Sequence, residues 1–372
     1  MGETYTVNLP SYTIGPDAYQ SLPYQMRRFG KRAVAIGGRT ALEKARPYLE
    51  KALKMSDVTI TDFIWYGGNA TYENGEALIA QPAVQLADVV LAVGGGRACD
   101  MVKYVADRLD KPLMTLPTVA SNCAAVTAVC VMYHADGSFF NYYYPKLAEH
   151  CFIQSDIIAD SPEPLLWAGI GDALSKECEA AFSSMDDKLS HTPLLGRQIS
   201  RICTEPLLEY GAEALASIRQ HQASEALEQV TLDIIISTGI VSNLMTTPDS
   251  YYYNSTLAHC IYYGATATQN GHRHLHGEIV ALGVLCLEWY AGHIEQGERL
   301  MQFNASVGLP VCFDDIEIEE DEFEGMADTF TQTREWKHRP QCVTREYLLK
   351  VMREVNAEGR RFKRQRDGLS ER

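Results

Sequence analysis

The second half of the chain holds residues that could bind a metal ion. Asp172 sits in Gly169-Ile170-Gly171-Asp172-Ala173-Leu174-Ser175-Lys176, a stretch of helical character. An aspartate on an otherwise apolar helix face needs a partner. His259 lies in Leu257-Ala258-His259-Cys260-Ile261, and His272, His274 and His276 crowd the segment 271–278 (GHRHLHGE). Two imidazoles and one carboxylate suit zinc or ferrous iron and leave positions open for a substrate. The same spacing admits plainer readings. Lys176, one turn beyond Asp172, is an ordinary helical partner. A lone histidine among apolar neighbours is often a satisfied core residue, and alternating histidines suit a surface strand.

The first half offers a nucleotide instead. The run 94–103 (GGGRACDMVK) follows an apolar strand candidate and opens a helix candidate. Glycines allow the backbone to approach a ligand closely, and a helix start presents free N–H groups to an anion. A pyrophosphate is the natural fit, although a triple glycine after a strand is equally an ordinary turn. A second loop, 115–124 (TLPTVASNCA), also follows a strand candidate and is rich in hydroxyls and small residues. Open α/β sheets bind nucleotides at loops of this kind, at the carboxyl ends of parallel strands.

These residues need elements to position them. Strand-like runs at 32–36, 58–65, 88–93 and 111–116 alternate with helical stretches at 40–55 and 98–108. Continuous apolar strands separated by helices predict a parallel sheet covered on both faces. Residues 129–133 and 139–143 flank an Asp136-Gly137 turn, which predicts a hairpin. Beyond Ser161-Pro162 the texture changes to long amphipathic patterns at 165–185, 206–228, 230–245 and 277–295. The expected organisation is therefore an α/β dinucleotide-binding domain over 1–160 and an all-α domain over 161–372. The acidic run 314–324 and the basic tail 360–366 read as solvated faces, with pairing across an interface as the alternative.

Composition narrows the function classes. The 372 residues carry a net charge of −15, which argues against gripping nucleic-acid phosphates or an anionic membrane surface. An apolar fraction of 46% with 22% charged residues is that of a globular protein. The longest clean apolar run, 279–287, is about half of the roughly 20 residues a membrane span needs. The opening residues lack the basic and apolar regions of a secretory leader. Ten scattered cysteines form no CxxC pair. They read as reduced core thiols in a cytoplasmic protein. The expected partner is a small-molecule substrate, and the chain is compatible with a homo-oligomer.

Taken in order, these motifs resemble a known family. The strand–GGGxxxDxxK run, the TLPTxAS loop, the GxGDxLxK helix, Ala258-His259 and His276-Gly277-Glu278 follow one another as in glycerol dehydrogenase and the wider metal-dependent, iron-containing alcohol dehydrogenases. The resemblance spans 15–292. It implies a dehydroquinate synthase-like fold, an NAD(P)-linked hydride transfer, and an active site in the cleft between the two domains. It makes Asp172, His259 and His276 the ligands of one divalent metal, zinc or iron. Gly95, Gly96, Asp100 and Lys103 fall on the pyrophosphate and ribose side of the cofactor. Thr118, Ser121, Thr127, Val129 and Tyr133 match the second cofactor loop and the strand after it. His274 and Cys123 are the expected catalytic neighbours of the substrate, and Tyr133 is a further candidate for proton relay.

Two departures from the family pattern carry expectations. NAD-using members usually place an acid after the second strand, where this chain has Gly38 followed by Arg39. Without the acid nothing repels a 2′-phosphate, and Arg39 can pair with one, so NADP is expected to be accepted and even preferred. Glycerol dehydrogenase proper has an aspartate at the position of Cys123, and a thiol is neutral at its ordinary pKa. The Asn122-Cys123-Ala124-Ala125 run looks more like the subgroup that reduces 2-oxo acids to 2-hydroxy acids. Losing a negative charge favours an anionic substrate, with Arg273, His272 and Lys176 as carboxylate partners. Glycerol oxidation is the alternative. A lyase of the dehydroquinate synthase type, a glycerol-1-phosphate dehydrogenase and a non-catalytic nucleotide-binding protein are weaker ones. The first two of these weaker readings want a lysine and arginine cluster for a substrate phosphate that this chain does not display.

Overall fold

The computed structural model describes residues 5–366 and 368. The first residues of the stretch read for a leader, 1–4, therefore lie outside the described residues. The chain divides into two compact units. One runs to Leu166 and takes in Glu213–Asn243; the other comprises Trp167–Ala212 and everything from Leu244 onward. The return of Glu213–Asn243 to the first unit departs from the texture of the sequence, which grouped those helices with the second half.

The first unit is built on a parallel sheet. Its strands are β1 (Tyr12–Gly15), β2 (Arg32–Gly37), β3 (Thr59–Trp65), β4 (Val89–Val93), β5 (Leu113–Leu116) and β8 (His150–Gln154), in the spatial order β1-β8-β5-β4-β2-β3. Every pairing in it is parallel. Burial on both faces follows from the strand period of two. Ala33, Ala35, Val89, Leu91 and Val93 pack with Leu42, Ala45 and Leu49 of the Arg39–Leu53 helix. Val34, Ile36, Val90 and Ala92 pack on the other face with Met101, Val102 and Val105 of the Gly96–Arg108 helix. The strands expected at 32–36, 58–65, 88–93 and 111–116 all form. β1 and β8, which complete one side of the sheet, were not foreseen. They are short, and His150 of β8 is held through its ring by the hydroxyls of Ser11 (2.7 Å) and Thr13 (2.8 Å).

The order of the strands decides where a ligand can sit. β2 leads outward to β3, whereas β4 leads the other way to β5 and β8. The crevice at the carboxyl ends of β2 and β4 is thus the topological switch point, where such sheets bind nucleotides. The expected hairpin forms as β6 (Cys130–Tyr133) paired antiparallel with β7 (Phe139–Tyr143).

The second unit is helical and centres on the His276–Tyr290 helix, buried from Ile279 to Glu288. Close approach to it rests on glycine. A Cβ at Gly277 would fall 1.7 Å from the carbonyl oxygen of Ala168, and one at Gly171 would fall 2.3 Å from that of Gly277. The Glu163–Ala173 helix can therefore lie directly against the start of the His276–Tyr290 helix. The acidic run and the basic tail are not independent solvated faces. Arg360 pairs with Asp314 (2.6 Å) and Glu320 (2.9 Å), and Lys363 pairs with Asp315. None of the ten cysteines is bonded to another. Among the described residues no helix is long and apolar enough to cross a membrane.

Candidate active site

In the second unit the backbone brings three side chains from three helices to one point. Asp172 ends the Glu163–Ala173 helix, His259 lies in the first turn of the Leu257–Thr266 helix, and His276 opens the His276–Tyr290 helix. One ligand atom from each lies within 4.8 Å of the other two. Asp172 Oδ1 is 3.1 Å from His276 Nε2 and 3.7 Å from His259 Nε2. The ring of Tyr262 meets that of His276 edge to face at 4.2 Å between centroids. Two imidazole nitrogens and a carboxylate oxygen brought this close are a donor set that fits a divalent ion.

The electrostatics favour a cation. Burial works against the Asp172 carboxylate, yet His276, His259 and Lys176 outweigh it and bring its pKa down to about 2. Burial also opposes charge on His259, but Glu179 and Asp172 more than offset this and raise it above the usual 6.5.

Glu179 escaped the sequence reading. Its side chain is wholly buried on the Ser175–Ser183 helix, and its Oε2 lies 2.6 Å from His259 Nδ1. The available signal was its spacing, seven residues and two helical turns beyond Asp172. Lys176 is buried and donates to the Asn254 side chain (2.9 Å), so it is occupied within the unit. His272 and Arg273 are exposed in a short turn. His274 Nδ1 is 2.9 Å from Glu278 Oε1, while its buried Nε2 makes no hydrogen bond among the described residues and faces Glu317 Oε2 at 3.9 Å.

In the first unit the two glycine turns meet at the switch point. A Cβ on Gly94 would lie 3.7 Å from both Gly38 N and Ala41 Cβ. Gly95 caps the Gly96–Arg108 helix, whose first turn carries no acid. The loop after β5 lies over this turn. Thr118 N–H reaches back to Gly94 O (3.4 Å), and a Cβ on Gly96 would fall 2.8 Å from the Asn122 side chain. Ser121 Oγ accepts a long bond from Asn122 Nδ2 (3.4 Å). Gly38 caps the Arg39–Leu53 helix, again with no acid in the first turn. Arg39 is exposed, its guanidinium 4.4 Å above the Trp65 ring.

Asp100 and Lys103 engage one another and the backbone of the segment that follows β5. They form a buried ion pair (2.9 Å). Lys103 Nζ donates to the carbonyls of Thr127 (3.1 Å) and Val129 (2.5 Å), and Asp100 Oδ2 accepts from Val131 N–H (3.1 Å). Thr127 and Val129 thus receive the brace through their backbones. Asn243, also unforeseen, clamps the same loop by accepting from Ala128 N–H (3.0 Å) and donating to Val126 O (2.9 Å). Cys123 is half-buried and begins the short 3-10 turn Ala124–Val126. Tyr133 lies beneath Arg97, 4.9 Å from guanidinium to ring.

Known proteins resemble the chain along most of its length. The profile of iron-containing alcohol dehydrogenases matches residues 10–153. Glycerol dehydrogenase 1 of Schizosaccharomyces pombe is 30% identical over 320 residues, covering 82% of this chain and 68% of that protein. The chain belongs to the iron-containing alcohol dehydrogenase family. Glycerol dehydrogenase of Thermotoga maritima is 29% identical, with 96% of this chain and 98% of that protein covered. Hydroxycarboxylate dehydrogenase A of Escherichia coli is 28% identical, with 77% and 78% covered. The crystal structure of the S. pombe glycerol dehydrogenase superposes with a TM-score of 0.84 at 24% identity, covering 100% of this chain and 95% of that one. This iron-containing alcohol dehydrogenase is thus an oxidoreductase with the family fold, a parallel α/β unit followed by helices.

Proposed function

We propose that this enzyme transfers a hydride between a nicotinamide dinucleotide and a small carbonyl or alcohol, and that its substrates are 2-oxo acids reduced to 2-hydroxy acids. The observation that carries the metal-dependent part is the convergence of Asp172, His259 and His276 within 4.8 Å. Those three residues would hold the divalent ion, zinc or ferrous iron, which both suit an N,N,O donor set. The two bound groups supply the hydride and a Lewis acid for the substrate oxygen.

The residues of the chain do the rest. Free N–H groups at Gly95 and Gly96 and the dipole of the Gly96–Arg108 helix hold the diphosphate. Thr118 and Ser121 line the same turn, and the loop carrying Thr127 and Val129 is fixed from behind by Lys103 and Asn243. Tyr133 forms the wall under Arg97. Cys123 sets the charge beside the reacting carbon, a thiol in place of the aspartate expected of a glycerol dehydrogenase. His274, its Nδ1 tied to Glu278, is the proton-holding group assigned here. Glycerol oxidation is the second reading, favoured by the names of the T. maritima and S. pombe relatives.

Arg39 extends the proposal to the cofactor. It stands at the first turn of a 15-residue helix free of first-turn acids, and we assign it to the 2′-phosphate of NADP. A single panel tests these assignments. Reduction of 2-oxobutyrate and 2-oxoglutarate is measured against dihydroxyacetone and glycerol turnover, with NADH and NADPH in parallel and with and without chelator. The expected result is chelator-sensitive reduction of oxo acids with NADPH. Arg39→Ala should lower kcat/KM for NADPH about tenfold, the worth of one charge-assisted contact at an exposed site. Far faster glycerol oxidation would overturn the substrate assignment. A strong NAD preference that survives Arg39→Ala would overturn the cofactor assignment.

A further inference from the structure

We propose that Glu179 is a positioning residue that selects the tautomer of His259, so that Nε2 is the unprotonated nitrogen facing Asp172. The inference rests on the metal reading above. Both oxygens of Glu179 are committed to the start of the Leu257–Thr266 helix. Oε1 accepts from the backbone N–H of Thr256 (2.7 Å) and of His259 (3.1 Å), and Oε2 lies 2.6 Å from His259 Nδ1. The Thr256 side chain provides no cap to this helix, so Glu179 caps it from another helix.

The chemistry follows from the inventory of donors. An ionised carboxylate accepts and cannot donate. The hydrogen bond to Oε2 therefore requires the proton on Nδ1, and a neutral His259 presents a lone pair at Nε2. The opposite tautomer would aim an N–H at the point where the ligand atoms converge, and an N–H cannot ligate. Carboxylates that orient ligating histidines commonly carry 10–100-fold in metal affinity. The two backbone bonds fix the carboxylate itself, which is what gives the third bond its direction.

Glu179→Gln separates the roles. The amide oxygen can keep both backbone N–H bonds, which leaves the amide nitrogen as a donor facing Nδ1. That arrangement drives the proton to Nε2. The full-length protein is stripped of metal and labelled with 15N-histidine, and the His259 signal is assigned by its loss in His259→Gln. At a pH where the ring is neutral, wild type is expected to show a protonated Nδ1 and Glu179→Gln a protonated Nε2. Zn2+ affinity, measured by competition with a chromophoric chelator, is expected to fall about 10–100-fold in the variant. A protonated Nε2 in wild type overturns the proposal without any need for a folded variant. So does unchanged Zn2+ affinity in a folded Glu179→Gln protein. The metal reading fails separately, through Zn2+ binding that is absent from wild type or that survives His276→Ala.

Discussion

Asp172→Ala is expected to empty the protein of its divalent ion and to lower kcat/KM by about three orders of magnitude or more. Asp172 is the anionic member of the proposed donor set, and its Oδ1 lies 3.1 Å from His276 Nε2 and 3.7 Å from His259 Nε2. Removing it leaves two imidazoles as the remaining donors of the set. Lewis-acid polarisation is worth several kcal/mol of transition-state stabilisation, and each 1.36 kcal/mol is tenfold in rate. The fold should survive, because Asp172 lies near a helix end and alanine is a good helix former. Metal content by emission spectroscopy, circular dichroism and steady-state kinetics together make the test. Chelation of wild type should reproduce the loss, and added Zn2+ or Fe2+ should restore wild type but not the variant. A variant that kept both metal and rate would place the ion elsewhere.

The legibility of these features differed for physical reasons. β2 and β4 were plain in the sequence because strands buried on both faces are continuously apolar. β1 and β8 were not, because YTIG and HCFIQ are short and carry polar residues that the structure satisfies across the sheet, as His150 does with Ser11 and Thr13. The convergence of Asp172, His259 and His276 was expected only through the resemblance of an ordered motif set. His259 and His276 are far from Asp172 in the chain, and spacing alone could not distinguish a ligand from a core histidine. Glu179 was invisible for a related reason: a glutamate on a helix looks alike whether it faces water or a ring nitrogen. The Asp100–Lys103 pairing was not foreseen, because the resemblance put both residues on the cofactor side and spacing does not show burial. Only burial revealed that they face the backbone of 127–131. The helices of 213–243 had the texture of their neighbours, while their place in the first unit depends on tertiary contacts such as the Asn243 clamp.

The second large effect should be on stability, and it comes from that same pair. Lys103→Met keeps most of the side-chain volume while removing the charge. Burial works against the Lys103 ammonium, yet Asp100 more than compensates and raises its pKa. Burial raises the pKa of Asp100 as well, so the pair rests on the 2.9 Å contact between Lys103, wholly buried, and Asp100, nearly so. Substituting methionine leaves a buried carboxylate whose remaining hydrogen bond is from Val131 N–H (3.1 Å). It also leaves the carbonyls of Thr127 and Val129 without the ammonium donor. Breaking a buried pair from one side costs about 3–5 kcal/mol, which urea unfolding of Lys103→Met should show as a lower midpoint. Adding Asp100→Leu removes the stranded charge, so the double variant should recover part of the loss. That non-additivity is the signature of direct coupling. Because the brace holds the loop behind the glycine turn proposed to take the dinucleotide, the cofactor should also bind more weakly to Lys103→Met under conditions where it remains folded. A single variant within about 1 kcal/mol of wild type, or strictly additive losses in the double, would mean that the loop is held by Asn243 and by packing and not by the ion pair.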